Sequence, residues 1–215
     1  MNKKRYNASE LDKLEKRFRA EFINCLSGFK SANLIGTRSQ QGIDNLSIVS
    51  SVVHIGAHPP LLGMIMRPHT VQRDTLENIK QTGVYTINHV TSKWIAQAHH
   101  TSARFSPDIS EFDSVGLTPI NSTAVNAPYV EQSVIQLSLE VQDIQYIAIN
   151  QTELVIGQIV EVILPEDSID ETGYIDIEAC DSICISGLVS YHATERIGRY
   201  AYAKPDTVPV NTLKK

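Results

Sequence analysis

The chain has 215 residues, 42 % of them apolar and 20 % charged. At roughly 100–200 residues per domain this is one folded domain with an elaborated end, with apolar mass for an ordinary core and too little charge for a disordered chain. Nineteen Lys and Arg against twenty-four Asp and Glu leave a net charge of −5, which argues against a nucleic-acid binder relying on a general positive field but leaves room for one local anion pocket.

The N-terminus opens Met-Asn-Lys-Lys-Arg and continues Tyr6-Asn-Ala-Ser-Glu10, without the apolar stretch of a signal peptide, so none is expected. Ser9 followed by Asp12 resembles a capping pair, and Leu11, Leu14, Phe18 and Phe22 recur at helical spacing. Residues 1–28 are therefore expected to form an N-terminal helical extension. Beyond Gly28 the pattern changes to short strands, first 34–37 and then a polar turn at 38–42. Residues 45–66 form the longest stretch free of Asp, Glu, Lys and Arg. Its serines, His54, His58 and Pro59-Pro60 make it two strands and a turn rather than a membrane span.

A polar connection, 67–74, leads into a short helix, 75–81, closed by Gly83 as its C′ residue, with a strand over 83–90. Helices are expected at 91–103 and 110–116, forming an insertion. From Ser133 the chain alternates as strand, with further strands at 153–164 and 182–189 and a loose tail over 204–215. Many short strands with helices at the start and in the middle make the fold class mainly β: a small closed β-barrel with α additions.

Residues 67–78 carry the most chemical information. Arg67, His69 and Arg73 lie in a loop feeding a helix whose first turn holds Asp74 and Thr75. A helix N-terminus offers unpaired N–H groups and arginine adds forked donors, a combination suited to phosphate. Thr75 can either cap the helix or donate its hydroxyl to a phosphate oxygen. The plainer alternative is a solvated loop before an ordinary capped helix. Ser47, Ser50 and Ser51, small hydroxyls in an apolar strand, would let a flat ligand approach the backbone; the alternative is polar filling of a barrel wall.

Other chemistries find less support. His54, His58, His89, His99 and His100 lack the spacing of a zinc site, so no metal is expected. The three cysteines, Cys25, Cys180 and Cys184, cannot make a disulfide framework. Cys180 and Cys184 have the wrong spacing for a dithiol motif and are expected to be buried, inert thiols in a cytoplasmic protein. With no Gly-rich dinucleotide fingerprint and no Gly-x-Ser-x-Gly elbow, any nicotinamide cofactor would bind without a Rossmann unit.

Taken in order, residues 45–54 (Asn-Leu-Ser-Ile-Val-Ser-Ser-Val-Val-His), Pro59-Pro60-Leu-Leu, Arg73-Asp-Thr-Leu-Glu-Asn-Ile79 and Gly83-Val-Tyr-Thr-Ile-Asn88 resemble the flavin reductase-like, flavoredoxin-type family of FMN-binding split barrels. Residues 111–119 (Glu-Phe-Asp-Ser-Val-Gly-Leu-Thr-Pro) look like that family's middle region. The resemblance implies a six-stranded FMN-binding split β-barrel over 29–203, between the 1–28 extension and the 204–215 tail. It also implies a homodimer with FMN near the subunit interface, and neither nucleic acid nor membrane as partner. Position by position, Ser50 and Ser51 with Ser47 line the flavin ring. Arg73, Asp74 and Thr75 match the signature that begins the phosphate-binding helix and Asn78 its following Asn, while Met66 and Arg67 match the strand end that approaches the flavin. The sequence departs from the family at Val52-Val53-His54, where aromatic residues are common, and at residues 197–202, where a Gly-Gly is usual.

The function so implied is an FMN-binding oxidoreductase passing hydride from NADH or NADPH to free flavin or another acceptor. The cofactor carries the chemistry, so no side chain is singled out as catalytic. Backbone N–H groups near Ser50 and Ser51, together with Arg67, would stabilise negative charge on reduced flavin. Two alternatives belong to other classes: an FMN-binding electron-transfer protein without NAD(P)H activity of its own, and a split barrel that has lost FMN and serves as a dimeric binding module, against which the intact Arg73-Asp74-Thr75 speaks.

Overall fold

The computed structural model describes residues 2–68 and 73–213; His69 lies outside the described residues. Two helices, α1 (Ala8–Asp12) and α2 (Lys16–Leu26), precede a short strand β1 (Lys30–Ser31). There follow β2 (Asn33–Arg38), β3 (Asp44–Val49), β4 (Val52–Ala57), β5 (Pro60–Met66), α3 (Asp74–Thr82) and β6 (Val84–His89). A 3₁₀ turn (Ser92–Trp94) runs into α4 (Ile95–His100), and α5 (Glu111–Val115) completes the insertion. The chain then forms β7 (Pro119–Asn121), β8 (Pro128–Val130), the long pair β9 (Gln136–Ile147) and β10 (Thr152–Ile163), and finally β11 (Cys184–Ser186) and β12 (Ser190–His192).

The main sheet has seven strands in the order β3-β2-β6-β9-β10-β5-β4, all antiparallel to their neighbours. Its edges, β3 and β4, are consecutive in the chain with only Ser50 and Ser51 between them. Laid flat, six inter-strand steps would separate those edges by about 29 Å. The three Cα steps from Val49 to Val52 reach about 11 Å, so the sheet has to curl. With every pairing antiparallel, β3 and β4 also run in the same sense, so Ser50-Ser51 is a bend within one strand rather than a hairpin. Counted as one, β3 and β4 bring the total to six strands, and the curled sheet is a mainly β split barrel with helical additions. Residues 45–66 are accordingly two strands and a turn, as the sequence suggests, with the first strand bent at Ser50-Ser51 into β3 and β4.

The barrel interior is filled by Ile35, Met64, Leu76, Ile79, Tyr85, Ile87, Leu139 and Val155, all at most 1 % exposed. Register shifts between β9 and β10 at Ile156/Gly157 and Ile159/Glu161 supply the local bending that curled strands need. The clean alternation of β9 puts only part of its polar side in water: Glu140 and Gln142 are exposed. Gln136 and Ser138 are buried because the β7–β8 hairpin covers them: Gln136 Nε2 donates to the Val130 carbonyl at 2.7 Å and Ser138 Oγ meets Tyr129 Oη at 2.6 Å. A second cluster, with Trp94, Ala98, Phe112 and Leu117 packed on Leu34 and Leu46, fastens the insertion to the barrel. The Trp94 indole N–H donates to the Gln132 carbonyl at 3.2 Å.

The N-terminal segment is two helices, not one. Asn7, rather than Ser9, caps α1 in a reciprocal capping box with Glu10, and Glu15 starts α2 by accepting from the N–H groups of Arg17 and Phe18. Its apolar stripe makes no core contact: α2 has no buried residue, Phe18 is 52 % exposed, and the phenylalanines pack on each other and on Tyr6. Helix α3 ends as expected, with Gly83 at φ 73° in the left-handed region, where a side chain is strained.

The barrel carries one polar fault. The Tyr85 hydroxyl is buried with no partner among the described residues, burial pushes its pKa up, and it lies where a Cβ on Gly157 would stand. An unsatisfied buried hydroxyl costs about 1–3 kcal/mol. Tyr85→Phe should therefore leave the urea midpoint unchanged or raise it; a drop equivalent to about 1 kcal/mol or more would mean the hydroxyl has a partner. Gly157→Ala, which drives a methyl into that ring, should cost about 1–3 kcal/mol, measured by the same titration.

Candidate functional site

The bend that closes the barrel also opens a cleft. Where β3 stops pairing and β4 has not begun, the seam is held by the Ser51 hydroxyl, which donates to the Ile65 carbonyl at 2.7 Å, and by a long return bond of 3.4 Å from the Ile65 N–H to the Ser51 carbonyl. Beside this gap lies a cleft of about 900 Å³, within the range of small-molecule and cofactor sites. Of the residues singled out in the sequence, Ser47, Ser50, Ser51, Met66, Arg67, Arg73, Asp74 and Thr75 line it. Ser47 projects from β3, whereas Ser50 and Ser51 lie at the bend rather than within a strand.

Asn78 is not in this wall. It is buried one turn into α3, where its amide donates to Thr37 Oγ1 at 3.1 Å, and it lines a smaller cavity of about 450 Å³. Asn45, Asp74 and Pro107 line both cavities and so form the partition between them.

The cleft is cationic although the chain is acidic. Arg73 is the N-cap residue of α3 but makes no side-chain cap. Its Nε is buried without a hydrogen-bond partner among the described residues, and burial, then the charges of Arg67 and Arg104, hold its pKa below the usual arginine value. Three guanidinium groups thus gather at the start of a nine-residue helix, whose N–H groups carry partial positive charge. Desolvation and mutual repulsion both raise the energy of this arrangement, and an anion relieves both.

Behind the cationic end stands a chain of buried polar groups. Asn45 Nδ2 donates to both carboxylate oxygens of Glu111, at 2.9 and 2.8 Å, and the Leu46 N–H donates to Glu111 Oε2 at 2.9 Å. Asn45 Oδ1 accepts from Thr75 Oγ1 at 2.8 Å and from Thr37 Oγ1 at 3.2 Å. Burial pushes the Glu111 carboxyl up, the bonds from Leu46 and Asn45 oppose this, and the charge of Asp74 adds to it. Thr75 does not cap the helix: its hydroxyl donates to Asn45.

The insertion supplies the wall facing α3, through His99, Thr101, Arg104, Phe105 and Glu111. The far end is closed by Lys30, Ile185, Leu188 and Val189 from the β1–β11 region. His99 is fixed by a 2.9 Å bond between its Nδ1 and the Tyr191 hydroxyl. Among the described residues no three His, Cys, Asp or Glu groups converge as a metal site. Cys180 and Cys184 are buried free thiols and Cys25 is exposed. Arg104, Glu111 and Asn45 also line the cleft and are not among the site residues expected from the sequence. A signal existed for Arg104, which adjoins an aromatic residue in a Ser/Pro-containing loop, but nothing local ties that loop to Arg73.

A family described as the flavin reductase like domain matches residues 27–181. Among solved structures, a protein with a split barrel domain from Shewanella frigidimarina NCIMB 400 superimposes with a TM-score of 0.90 at 50 % identity, over 94 % of this chain and all of that one. Two more distant likenesses show the same fold. The 2-nitrobenzoate 2-nitroreductase of Pseudomonas fluorescens has a TM-score of 0.79 at 22 % identity, over 96 % of this chain and 99 % of that one. Flavoredoxin of Desulfovibrio vulgaris (Miyazaki F) has a TM-score of 0.69, also at 22 % identity, over 84 % of this chain and 92 % of that one. The matched region takes in the barrel, the start of α3 and the insertion wall, and the chain belongs to the flavin reductase-like domain family.

Proposed function

We propose that the protein is an FMN-binding oxidoreductase that takes hydride from NADH or NADPH and passes electrons to free flavin or another acceptor. The observation that carries this reading is the buried Arg73 Nε, unpartnered among the described residues, at the start of α3 with Arg67 and Arg104 around it. A phosphate monoester, with about −1.5 to −2 charges and three acceptor oxygens, supplies what that cluster lacks. The residues present fit FMN: Arg73, Arg67 and Arg104 with the first N–H groups of α3 would hold the phosphate. The bend at Ser50-Ser51, with Ser47 and Met66, would border the ring.

The flavin would supply hydride acceptance and donation; the protein's part is to hold and orient. Small serine side chains let a flat ring approach the backbone, and Arg67, exposed at the end of β5, sits where it can offset negative charge on the reduced ring. Asp74 and Asn78 act from behind the phosphate loop, Asp74 in the partition and Asn78 through Thr37. The same reading makes the protein a homodimer with the cleft near the subunit contact. In support, Leu26, Phe29 and Val189 are 58–68 % exposed at the end of the molecule that carries Lys30 and Leu188 of the cleft. Free thiols suit a cytoplasmic setting, and among the described residues no helix is long and apolar enough to cross a membrane.

Reconstitution with FMN followed by desalting should leave a visible flavin spectrum that bleaches under anaerobic NADH or NADPH. Retained flavin that stays oxidised with both nucleotides would replace the reductase by an electron carrier, a role consistent with the likeness to flavoredoxin. No retained flavin would overturn the resident-cofactor reading. Arg73→Ala should weaken FMN binding by about 10- to 100-fold, the equivalent of one charge-assisted hydrogen bond. Because Arg73 Nε has no partner to lose among the described residues, the variant's melting temperature should stay near that of the wild type. Stoichiometric FMN surviving dialysis in this variant would refute the phosphate assignment.

A further inference from the structure

The polar chain behind the phosphate loop has a direction, and one residue sets it. An ionised carboxylate only accepts hydrogen bonds, so Asn45 has to present its NH₂ to Glu111, as it does. Its carbonyl oxygen is thereby turned toward Thr75 and Thr37, and both hydroxyls donate to it. Thr37 in turn accepts from the Asn78 amide. The Thr75 hydroxyl, on the cleft wall, then has lone pairs but no proton to offer an anion.

We propose that Glu111 is a positioning residue for the phosphate end of the flavin: ionised, it turns Asn45 so that the Thr75 proton is held inside the protein, and protonated, it lets Asn45 turn over and makes Thr75 a donor to the ligand. The proposal rests on the FMN reading of the cleft. A protonated Glu111 donates one bond, which the Asn45 carbonyl accepts. The Asn45 NH₂ then donates to Thr37 and Thr75, and the Thr75 proton is released toward the cleft. The Leu46 N–H still bonds the other carboxyl oxygen; Thr37, which loses Asn45 as its acceptor, keeps its proton bonded when the neighbouring Asn78 amide, now its donor, turns over as well. Asn45 also lines the smaller cavity, which gives this chain a side away from the cleft from which protons can arrive.

The surroundings favour such a proton. Glu111 is only 7 % exposed, and the negative charge of Asp74 on α3 bears on it. The elements packed on α5 are β3 and α4. The first contributes Asp44, already paired with Arg38 at 2.6 Å, and the second His99, bonded to Tyr191, and His100. The helix itself adds Asp113, and Arg67, Arg73 and Arg104 lie on the cleft side. A phosphate brought against those arginines adds negative charge near Glu111, so anion binding and proton uptake favour each other. Affinity therefore gains from Glu111 as pH falls.

The phosphate also titrates, with a second pKa near 6, so the contribution of Glu111 is read against a variant that keeps the ligand the same. Glu111→Gln places an NH₂ where the proton would be and fixes the turned-over state. FMN affinities from flavin fluorescence would be compared for wild type, Glu111→Gln, Thr75→Val and the double variant, at about pH 5 and about pH 8, on either side of that phosphate titration. Glu111→Gln should bind FMN at least about fivefold tighter than wild type at the higher pH. The advantage should shrink as pH falls and should be absent in the Thr75→Val background. An advantage that persists in that background would mean that loss of charge alone acts, and equal affinities of wild type and Glu111→Gln at both pH values would mean that Glu111 does not act on the ligand; either overturns the proposal. Should Glu111→Gln fail to fold, the wild-type and Thr75→Val pair still decides, since the proposal requires the wild-type advantage over Thr75→Val to grow as pH falls. Loss of FMN binding in every protein, wild type included, would instead remove the FMN reading itself.

Discussion

At Ser50-Ser51 a single strand leaves one edge of the sheet and joins the other, and the rest of the molecule follows from how that bend is made. Two residues cannot bridge a flat seven-stranded sheet, so the curl is forced by chain length before any side chain is considered. A bend also breaks the ladder: between the last pair of β3 and the first of β4 the hydrogen-bonding duty passes to the Ser51 side chain. Larger residues at these positions would fill the gap, whereas serine satisfies the seam and leaves the backbone approachable. Closure of the barrel and opening of the cleft are one structural event.

The second constraint is electrostatic. A chain with a net charge of −5 gathers Arg67, Arg73 and Arg104 around one helix start, where burial and then the neighbouring charges hold the Arg73 pKa below its usual value and its Nε is buried and unbonded among the described residues. An anion brought to such an arrangement would remove the repulsion and offset the desolvation. The barrel tolerates the arrangement because the loop hangs on rigid elements: β5 ends at Met66, 6 % exposed, and α3 is anchored by Leu76 and Ile79, both fully buried. The insertion, fastened by Trp94 and Phe112, carries the third arginine across from the other side.

Much of this was legible in the sequence because it is local. The strand periods, the Gly83 stop of α3 and the Arg73-Asp74-Thr75 loop all lie within short windows, and the order of four such windows carried the family. What was not legible depends on contacts between distant parts of the chain. Arg104 joins Arg73 only after the insertion folds back, and Asn45 and Glu111 are 66 positions apart in sequence though joined by two hydrogen bonds. Periodicity also misjudged burial where a second layer intervenes. Ser138 alternates like a solvent-facing residue yet is fully buried, because the β7–β8 hairpin supplies its partners. The reverse happened in α2, whose apolar stripe satisfies every helical pattern and faces no core.

The polar chain from Glu111 to Asn78 breaks the usual preference for apolar interiors, and the break is informative. Burying a carboxylate, two amides and two hydroxyls in one place costs more than filling the same volume with aliphatic side chains, and a half-satisfied version would be worse than either. Here the bonds join into one continuous sequence, which meets the helix end of the cleft at the Thr75 hydroxyl. A cluster kept purely for packing would have no reason to terminate at a cleft wall, nor to run its central amide along a second cavity. Local rules fail most instructively where function requires it, and in this protein they fail along the line that runs from the insertion, through β3, to the first turn of α3.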